Sequence, residues 1–477
     1  MQAEAHTAEQ KVSFWQTARF ARFEVFRWRK GGLPSILQRQ RINFRRLLRH
    51  AYENVPFYRR LYGKIDPDRV RLGDLPPVTK SQLMSEFSDT LVERGITIDE
   101  VKEFASRLDL IGRLFRGKYI VLHTSGSTGE RGYFLNDIPS WQRAHALGLV
   151  RQKRMKPVPL SYIAAATPFH KIRAAMVVPT GGHFGTLLVP KIAAPITRYF
   201  AELYDIDILR PGDEIIAELN EVKPHHIHTY PTIAQLLAES YEAGKLKFKP
   251  CSLSVSSEPF LPSIKDRVIR AFGPIPIYEF YASTEFLHMA RSCALDRLHL
   301  SIDWVIVEPV TEDGRPVPIG EQGDKVFITS LYNYFQPLIR YEMTDVVRIL
   351  PDPCECGEPL PIIEVFGRTN DILTMVSPEG KRIKLLPTPI LVSFLEVPNL
   401  KKYQIVHERQ NFLRVRYIPE QNASNEMVEQ AIVKLMKGYL KRHGVGDWVE
   451  IVPELVDDIP RDPVSHKVKQ IIDMTNG

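Results

Sequence analysis

From about Leu108 onward the chain alternates short apolar runs with helical patterns, and this alternation limits the fold more than any other feature. YIVLHT precedes SWQRAHALGLVRQKRM and SYIAAATPF. Later HHIHTY leads into PTIAQLLAESYEAGKL, SLSVSSEP into SIKDRVIRAFG, and IPIYEFYAS follows. Strands spaced by whole helices predict a large N-terminal domain of doubly wound α/β subdomains with parallel sheets. Beyond Arg291 the texture changes. Residues 299–350 carry the turn signals TEDG and PIGEQGD between WVIVEPV, KVFITSLY and VVRIL, the pattern of an antiparallel meander or small β-barrel-like subdomain. From about Ile372 to Gly477, YQIVHE and LRVRYI accompany an amphipathic helix over Asn425–Arg442, predicting a small α+β C-terminal domain. The uncharged run Ala174–Pro190 is broken by Pro179, Gly181, Gly182, His183 and Gly185, which suits a buried strand and turn better than a membrane span. GGHFG within it reads as a tight backbone approach between strands.

Phe14–Tyr62 reads as two or three helices, with Phe14, Ala18, Ala21 and Val25, then Ile42, Leu47, Leu48 and Ala51, at helical spacing. Between Lys11 and Arg60, thirteen Lys or Arg face only Glu24 and Glu53, which exceeds the whole chain's net charge of +7. A basic solvated face on helices that cover a core is favoured over membrane or nucleic-acid docking, because long basic side chains commonly lie along such helices. No nucleic acid is therefore expected as a partner. The expected division is 1–75 for this basic segment, 76–370 for the large domain and 371–477 for the small one. Four cysteines are too few to staple 477 residues, which points to a reducing compartment. MQAEAHTAEQ lacks a basic-then-apolar leader, and a cytoplasmic location is expected.

The segment Tyr119–Glu130, YIVLHTSGSTGE, is a strand running into a loop of glycines and hydroxyls. Glycines admit close approach of a ligand, and the N–H groups with Thr124, Ser125, Ser127 and Thr128 can donate to phosphate oxygens. The loop lacks the GxxxxGK[ST] spacing of the nucleoside triphosphatases. Downstream, in order, come Tyr281-Ala-Ser-Thr-Glu285, Pro337-Leu-Ile-Arg-Tyr-Glu-Met-Thr-Asp345, Gly367-Arg-Thr-Asn-Asp371 and Pro460-Arg-Asp-Pro-Val-Ser-His-Lys467. This ordered set resembles the adenylate-forming superfamily of acyl-CoA synthetases. AYENVPFYRRLY and LPPVTKSQL resemble in particular its phenylacetate-CoA ligase branch, with the related cofactor-nucleotidylating synthetases.

The resemblance implies ATP and Mg²⁺, with CoA as the default acyl acceptor. It would place the ATP phosphates at Thr124, Ser125, Gly126, Ser127, Thr128 and Gly129. Adenine would stack on Tyr281 beside Ala282 and Ser283, with Ser256 and Glu258 bordering the adenine or acyl pocket. Thr284 would face the α-phosphate, and Glu285 would offer Mg²⁺ a hard oxygen. Asp345 and Arg368 would take the ribose hydroxyls. Lys467 would be the catalytic cation, carried by a mobile C-terminal domain hinged at Asp371. The chain departs from the family's pattern after Asp371, where ILTMVSPEGKRIKLLP lacks the residues that line the thiol channel. It also lacks the common Lys-Pro pair in Arg131-Gly-Tyr-Phe134, and Ser256-Ser-Glu258 replaces Gly-Gly-Glu.

Cys293, His299, Cys354 and Cys356 form a further set that fits a closed, structural zinc site, with unrelated reduced thiols as the alternative. In KPHHIHTYP, strand alternation puts His226 and His228 on one face and His225 on the other, which disfavours a three-histidine metal site; one of them would line the acyl pocket. His170 and Tyr133 are weaker candidates for substrate contact. The expected activity is formation of an acyl-adenylate from a carboxylic acid, aromatic by the branch resembled, followed by acyl transfer. Transfer to an amine or carrier protein and nucleotidyl transfer to a cofactor stay open. So do homodimer formation and, from another class, a docking protein on a nucleotide-binding scaffold.

Overall fold

The computed structural model describes residues 13–28, 31–124, 131–150, 171–197, 201–208, 210–368, 373–385, 390–391, 393–394, 397–460 and 469–475. Its centre is a nine-stranded sheet. Five strands are parallel, in the spatial order Ala201–Asp207, Ile172–Val178, His226–Thr229, Ser252–Ser256 and Ile277–Tyr281. Ala290–Ser292, Leu298–Leu300, Ile362–Arg368 and Asp345–Ile349 then extend the sheet antiparallel. Val177, Ile227, Val255 and Ile277 lie in one buried cluster with side chains of the helices Gly212–Val222, Pro231–Glu242 and Pro262–Phe272. Proline opens the last two helices, where a missing N–H costs nothing. The run Ala174–Pro190 supplies a strand, a turn and the start of the helix Gly185–Thr197.

The parallel α/β expectation holds for HHIHTY, SLSVSSEP, IPIYEFYAS and the run from Ala174, and not for YIVLHT; the parallel strand Ala201–Asp207 is not among the expected runs. Tyr119–His123 pairs antiparallel with Tyr133–Asp137, because the nine residues between them are enough for a hairpin and too few for a helical crossover. The helix expected after it is present as Ile138–Val150, while residues 151–170, with SYIAAATPF and His170, lie outside the described residues. GGHFG approaches this hairpin rather than joining two strands of the sheet. A Cβ on Gly182 would lie 3.1 Å from the His123 imidazole.

In the segment 299–350 the meander alternative is the one seen. Val305–Val310, Lys325–Ser330 and Tyr341–Met343 form a three-stranded antiparallel sheet. Asp345–Ile349 leaves it for the nine-stranded sheet, and the two are linked by the bridge Gln322–Arg348. No ladder closes a barrel among the described residues. Toward the C-terminus, Glu450–Leu455, Phe412–Pro419, Leu400–Arg409 and Ile471–Asp473 form a mixed four-stranded sheet covered by the helix Asn425–Arg442. Leu413, Val415, Tyr417 and Ile432 belong to the same buried cluster as the helices behind the parallel sheet, and Arg267 pairs with Glu420 at 3.6 Å.

The N-terminal helices Gly32–Asn54 and Pro56–Tyr62 spend their apolar stripe on the large domain. Phe44, Leu47, Leu48 and Ala51 are buried at the spacing i, i+3, i+4, i+7. Ile42, expected in this stripe, is 44 % exposed, since two residues before Phe44 is about 200° around the helix. Buried Arg39 pairs with buried Asp303 at 3.4 Å, and Asn43 donates to the Asp303 carbonyl at 2.9 Å. The Tyr58 hydroxyl donates to the Pro337 carbonyl at 2.9 Å and accepts from the Ile339 N–H at 3.1 Å. The first motif thus packs on the PLIRYEMTD segment. LPPVTKSQL meets the same segment through the parallel bridge Val78–Tyr341.

Candidate active site

A parallel sheet brings the C-terminal ends of its strands to one edge, where ligands bind in folds of this kind. Ser256, Glu258 and the segment Tyr281–Glu285 lie there. At one side stands the neck of the hydroxyl-rich loop. Thr124 N–H donates to the Gly132 carbonyl at 2.9 Å, and Gly132 N–H returns a bond to Thr124 Oγ1 at 2.8 Å. Ser125, Gly126, Ser127, Thr128 and Gly129 lie outside the described residues. His123 braces the neck. Its Nε2 accepts from the His183 N–H at 3.1 Å, which leaves Nδ1 to donate to the Thr124 carbonyl at 3.0 Å. Burial holds this imidazole neutral, with its pKa lowered to about 4.

Ser256 ends its strand and is followed by Ser257 at φ +74 and Glu258. Glu258 Oε2 accepts from the N–H of Thr232 at 3.1 Å and from its hydroxyl at 2.9 Å, so this carboxylate anchors the start of the neighbouring helix. Tyr281 ends the next strand and is nine-tenths buried, leaving little of its ring to a ligand. Beyond it the chain turns tightly. Ser283 N–H donates to the Phe286 carbonyl at 2.9 Å, and Phe286 N–H donates to Ser283 Oγ at 3.1 Å, which puts half-buried Thr284 and Glu285 at the tip.

Two distant motifs meet at this tip. The Tyr341 hydroxyl donates to Glu285 Oε1 at 3.2 Å. Burial, then the charges of Glu285 and Asp345, push the Tyr341 phenol well above its ordinary range, so it stays protonated and remains a donor. Asp345 is buried and stands opposite Arg368 in the strand register. The structure thereby brings Glu285, Tyr341, Asp345 and the Arg368 backbone together. The Arg368 side chain, Asp371 and Lys467 lie outside the described residues. The hairpin expected after Asp371 is present as Leu373–Val376 and Arg382–Leu385. Tyr341, His123 and Thr232 were not singled out from sequence. Tyr341 lies inside PLIRYEMTD, four residues before Asp345 on a short strand, and that placement was the available signal.

The cysteine set converges more tightly. The ligand atoms of Cys293, His299, Cys354 and Cys356 all lie within 4.8 Å of one another. Cys293 Sγ is 3.9 Å from Cys354 Sγ, and Cys356 Sγ is 3.4 Å from His299 Nε2. A tetrahedron with Zn–S of about 2.3 Å and Zn–N of about 2.0 Å has edges of roughly 3.8 and 3.5 Å, close to these two distances, so the donor set is of the right kind and nearly the right spacing for zinc. His299 Nδ1 donates to the Leu360 carbonyl at 2.8 Å, which turns the Nε2 lone pair toward the thiols. His226 and His228 share one face as expected, bonded to serines, whereas His225 Nδ1 accepts from the Arg173 N–H at 3.0 Å. Tyr133 is buried, and its N–H lies 3.3 Å from Met84 sulfur.

No family model matches the chain. A phenylacetate-coenzyme A ligase of Thermus thermophilus is 26 % identical over 401 residues, 79 % of each chain. One of Escherichia coli is 26 % identical over 407 residues, 79 % of this chain and 80 % of that one. The crystal structure of a 2-hydroxyisobutyryl-CoA ligase in the postadenylation state with R3-HIB-AMP superposes with a TM-score of 0.68 at 20 % identity, over 93 % of this chain and 90 % of that chain. The fold is that of the adenylate-forming ligases. Four phenylacetate-coenzyme A ligases, at 23–26 % identity over 74–86 % of this chain, are similar to it in sequence.

Proposed function

We propose that the chain activates a carboxylic acid with ATP and passes the acyl group to coenzyme A. An oxygen of the carboxylate attacks the α-phosphorus, the bond to the β-phosphate oxygen breaks, and pyrophosphate leaves. The thiol sulfur then attacks the acyl carbonyl, and AMP leaves. The observation that carries this reading is the hydrogen bond from Tyr341 to Glu285, just beyond the C-terminal end of the strand Ile277–Tyr281, with the Asp345 charge acting on the same phenol. The loop Thr124–Gly129 would hold the β- and γ-phosphates, its neck kept closed by the Thr124–Gly132 bonds. Glu285, steadied by Tyr341, would hold Mg²⁺, and that ion would offset phosphate charge. Asp345 and Arg368 would hold the ribose, and Thr284 would face the α-phosphate. Lys467, brought in by a C-terminal domain pivoting near Asp371, would stabilise charge on the phosphoryl oxygens during attack. Cys293, His299, Cys354 and Cys356 would hold a structural zinc. The docking reading carries less weight, because the buried side of the helix Gly32–Asn54 packs on the large domain.

ATP–pyrophosphate exchange with a panel of acids tests the proposal. At least one acid should support exchange, and Lys467→Ala should lower it about 100-fold or more. Exchange with none of them, or an unimpaired Lys467→Ala variant, would refute it. Acyl-adenylate without a thioester on adding coenzyme A would move the acceptor to an amine or a carrier protein.

A further inference from the structure

One buried cation has no part in the chemistry above. Arg291 lies on the strand Ala290–Ser292 directly across from Phe280, one position from Tyr281 at the sheet edge. It is 9 % exposed, and its guanidinium carbon sits 4.6 Å from the ring centroid of Phe280 and 4.8 Å from that of Tyr278. One Nη donates to the Gly148 carbonyl at 3.3 Å, in the last turn of the helix Ile138–Val150. Nε finds no acceptor among the described residues, and no carboxylate among them pairs with the group. A carbonyl at a helix end and two ring faces are the weaker partners of a guanidinium. A carboxylate matching its fork is the strong one, and burial without it is costly.

The surroundings are polar and uncharged. His226 is hydrogen-bonded to Ser252 and Ser254 at 2.8 and 2.9 Å, and His228 to Ser254 and Ser256 at 2.8 and 3.3 Å. This chain of bonds lies on the face that carries Arg291 and ends at Ser256, beside the candidate site. Burial keeps both imidazoles neutral, with pKa values lowered to about 3 and about 4, and His288 is likewise lowered to about 3. None of them balances the guanidinium. His226, His228 and His288 are deep in the molecule, and each keeps part of its surface uncovered. The helix Ile138–Val150 packs closely on this face, where a Cβ on Gly148 would come within 2.8 Å of the His288 ring.

We propose that the acid activated by this chain carries a second carboxylate, and that Arg291 receives it, with the His226–Ser254–His228–Ser256 line forming the polar wall along which the acid lies. The inference rests on the ligase reading and adds the substrate class to it. A wholly apolar tail would seal the guanidinium in without a counter-charge.

The test is pyrophosphate exchange with acids matched in length, adipate against hexanoate and 4-carboxyphenylacetate against 4-methylphenylacetate. The dianionic member should show a kcat/KM higher by about tenfold or more, since a site built for a polar group discriminates strongly against an analogue that lacks it. Arg291→Gln should raise KM for the dianion by about tenfold or more and leave the neutral member within about threefold, and Arg291→Lys should keep part of the preference. A wild-type preference for the neutral members, or a preference untouched in Arg291→Gln, overturns the assignment. The wild-type comparison decides the matter even where a variant fails to fold. Exchange with neutral acids alone leaves the ligase reading standing, whereas exchange with no acid overturns both.

Discussion

The cysteine–histidine cluster gives the most quantitative prediction. Its edges of 3.9 and 3.4 Å are close to those of a zinc tetrahedron, and His299 is already oriented by Leu360. Such a site is bound in the folded chain and absent from the unfolded one, so binding energy becomes folding energy. With free zinc at about 100 to 1,000 times Kd, the gain is about 2.7 to 4.1 kcal/mol. For a cooperative unit of 150–250 residues, that amounts to a melting shift of roughly 5–15 °C. Protein purified without chelator should contain about one zinc per chain by metal analysis. Excess chelator should lower the melting temperature by that amount, and added zinc should restore it. Cys354→Ala and His299→Ala should lose both the metal and the chelator response. A metal-free native protein with the same melting curve in chelator and in zinc would refute the reasoning.

Two further outcomes follow from the site. Tyr341→Phe removes one hydrogen bond to a charged acceptor, about 1.5–3 kcal/mol, and should raise KM for MgATP by roughly 10- to 100-fold; a loss confined to kcat would contradict the positioning role. Acid should destabilise the fold steeply. His123, His145, His226, His228 and His288 are buried neutral with pKa values lowered to about 3 or 4, so below pH 6.5 the unfolded chain binds protons that the folded chain does not. Stability then falls with pH between about 6.5 and 4, at up to about 1.4 kcal/mol per pH unit for each imidazole. Denaturant titrations at pH 7, 6 and 5 check this, and equal midpoints would exclude it.

Sequence reading succeeded where one local pattern implied one neighbour. Apolar runs spaced by whole helices located the parallel strands His226–Thr229, Ser252–Ser256 and Ile277–Tyr281, and the same logic located the helix Asn425–Arg442. It failed where a pairing partner had to be chosen. Tyr119–His123 has the composition of a parallel strand and forms a hairpin instead, while Asp345–Ile349 leaves its sequence neighbours for the far edge of the large sheet. The first follows from a connection too short for a helical crossover, and the second from long-range register, neither of which apolar periodicity encodes. At the site, the ordered motifs identified the chemistry-bearing types, yet the contact joining them is made by Tyr341. Its only local signal is its place four residues before Asp345. Arg291 was hidden for the opposite reason. An arginine in a short strand reads as an exposed residue until the register buries it between two rings.

The cysteine cluster also has a mechanical consequence for the site. Cys293 follows the strand Ala290–Ser292, which continues from the turn carrying Glu285, and His299 lies on the next strand. Cys354 and Cys356 lie on the loop between Asp345–Ile349 and Ile362–Arg368, the strands that carry Asp345 and Arg368. A metal there would staple the half of the site that follows Glu285 to the half that holds Asp345. The ladder joining those halves is short, two registered pairs between Leu298–Leu300 and Ile362–Arg368, so the staple supplies rigidity that the hydrogen bonds alone do not. Stripping the metal should therefore weaken ATP binding before it unfolds the chain, although no proposed ligand touches the nucleotide. The same distance from the chemistry explains why a closed, fully coordinated site suits this position: an open metal would add reactivity where only geometry is needed.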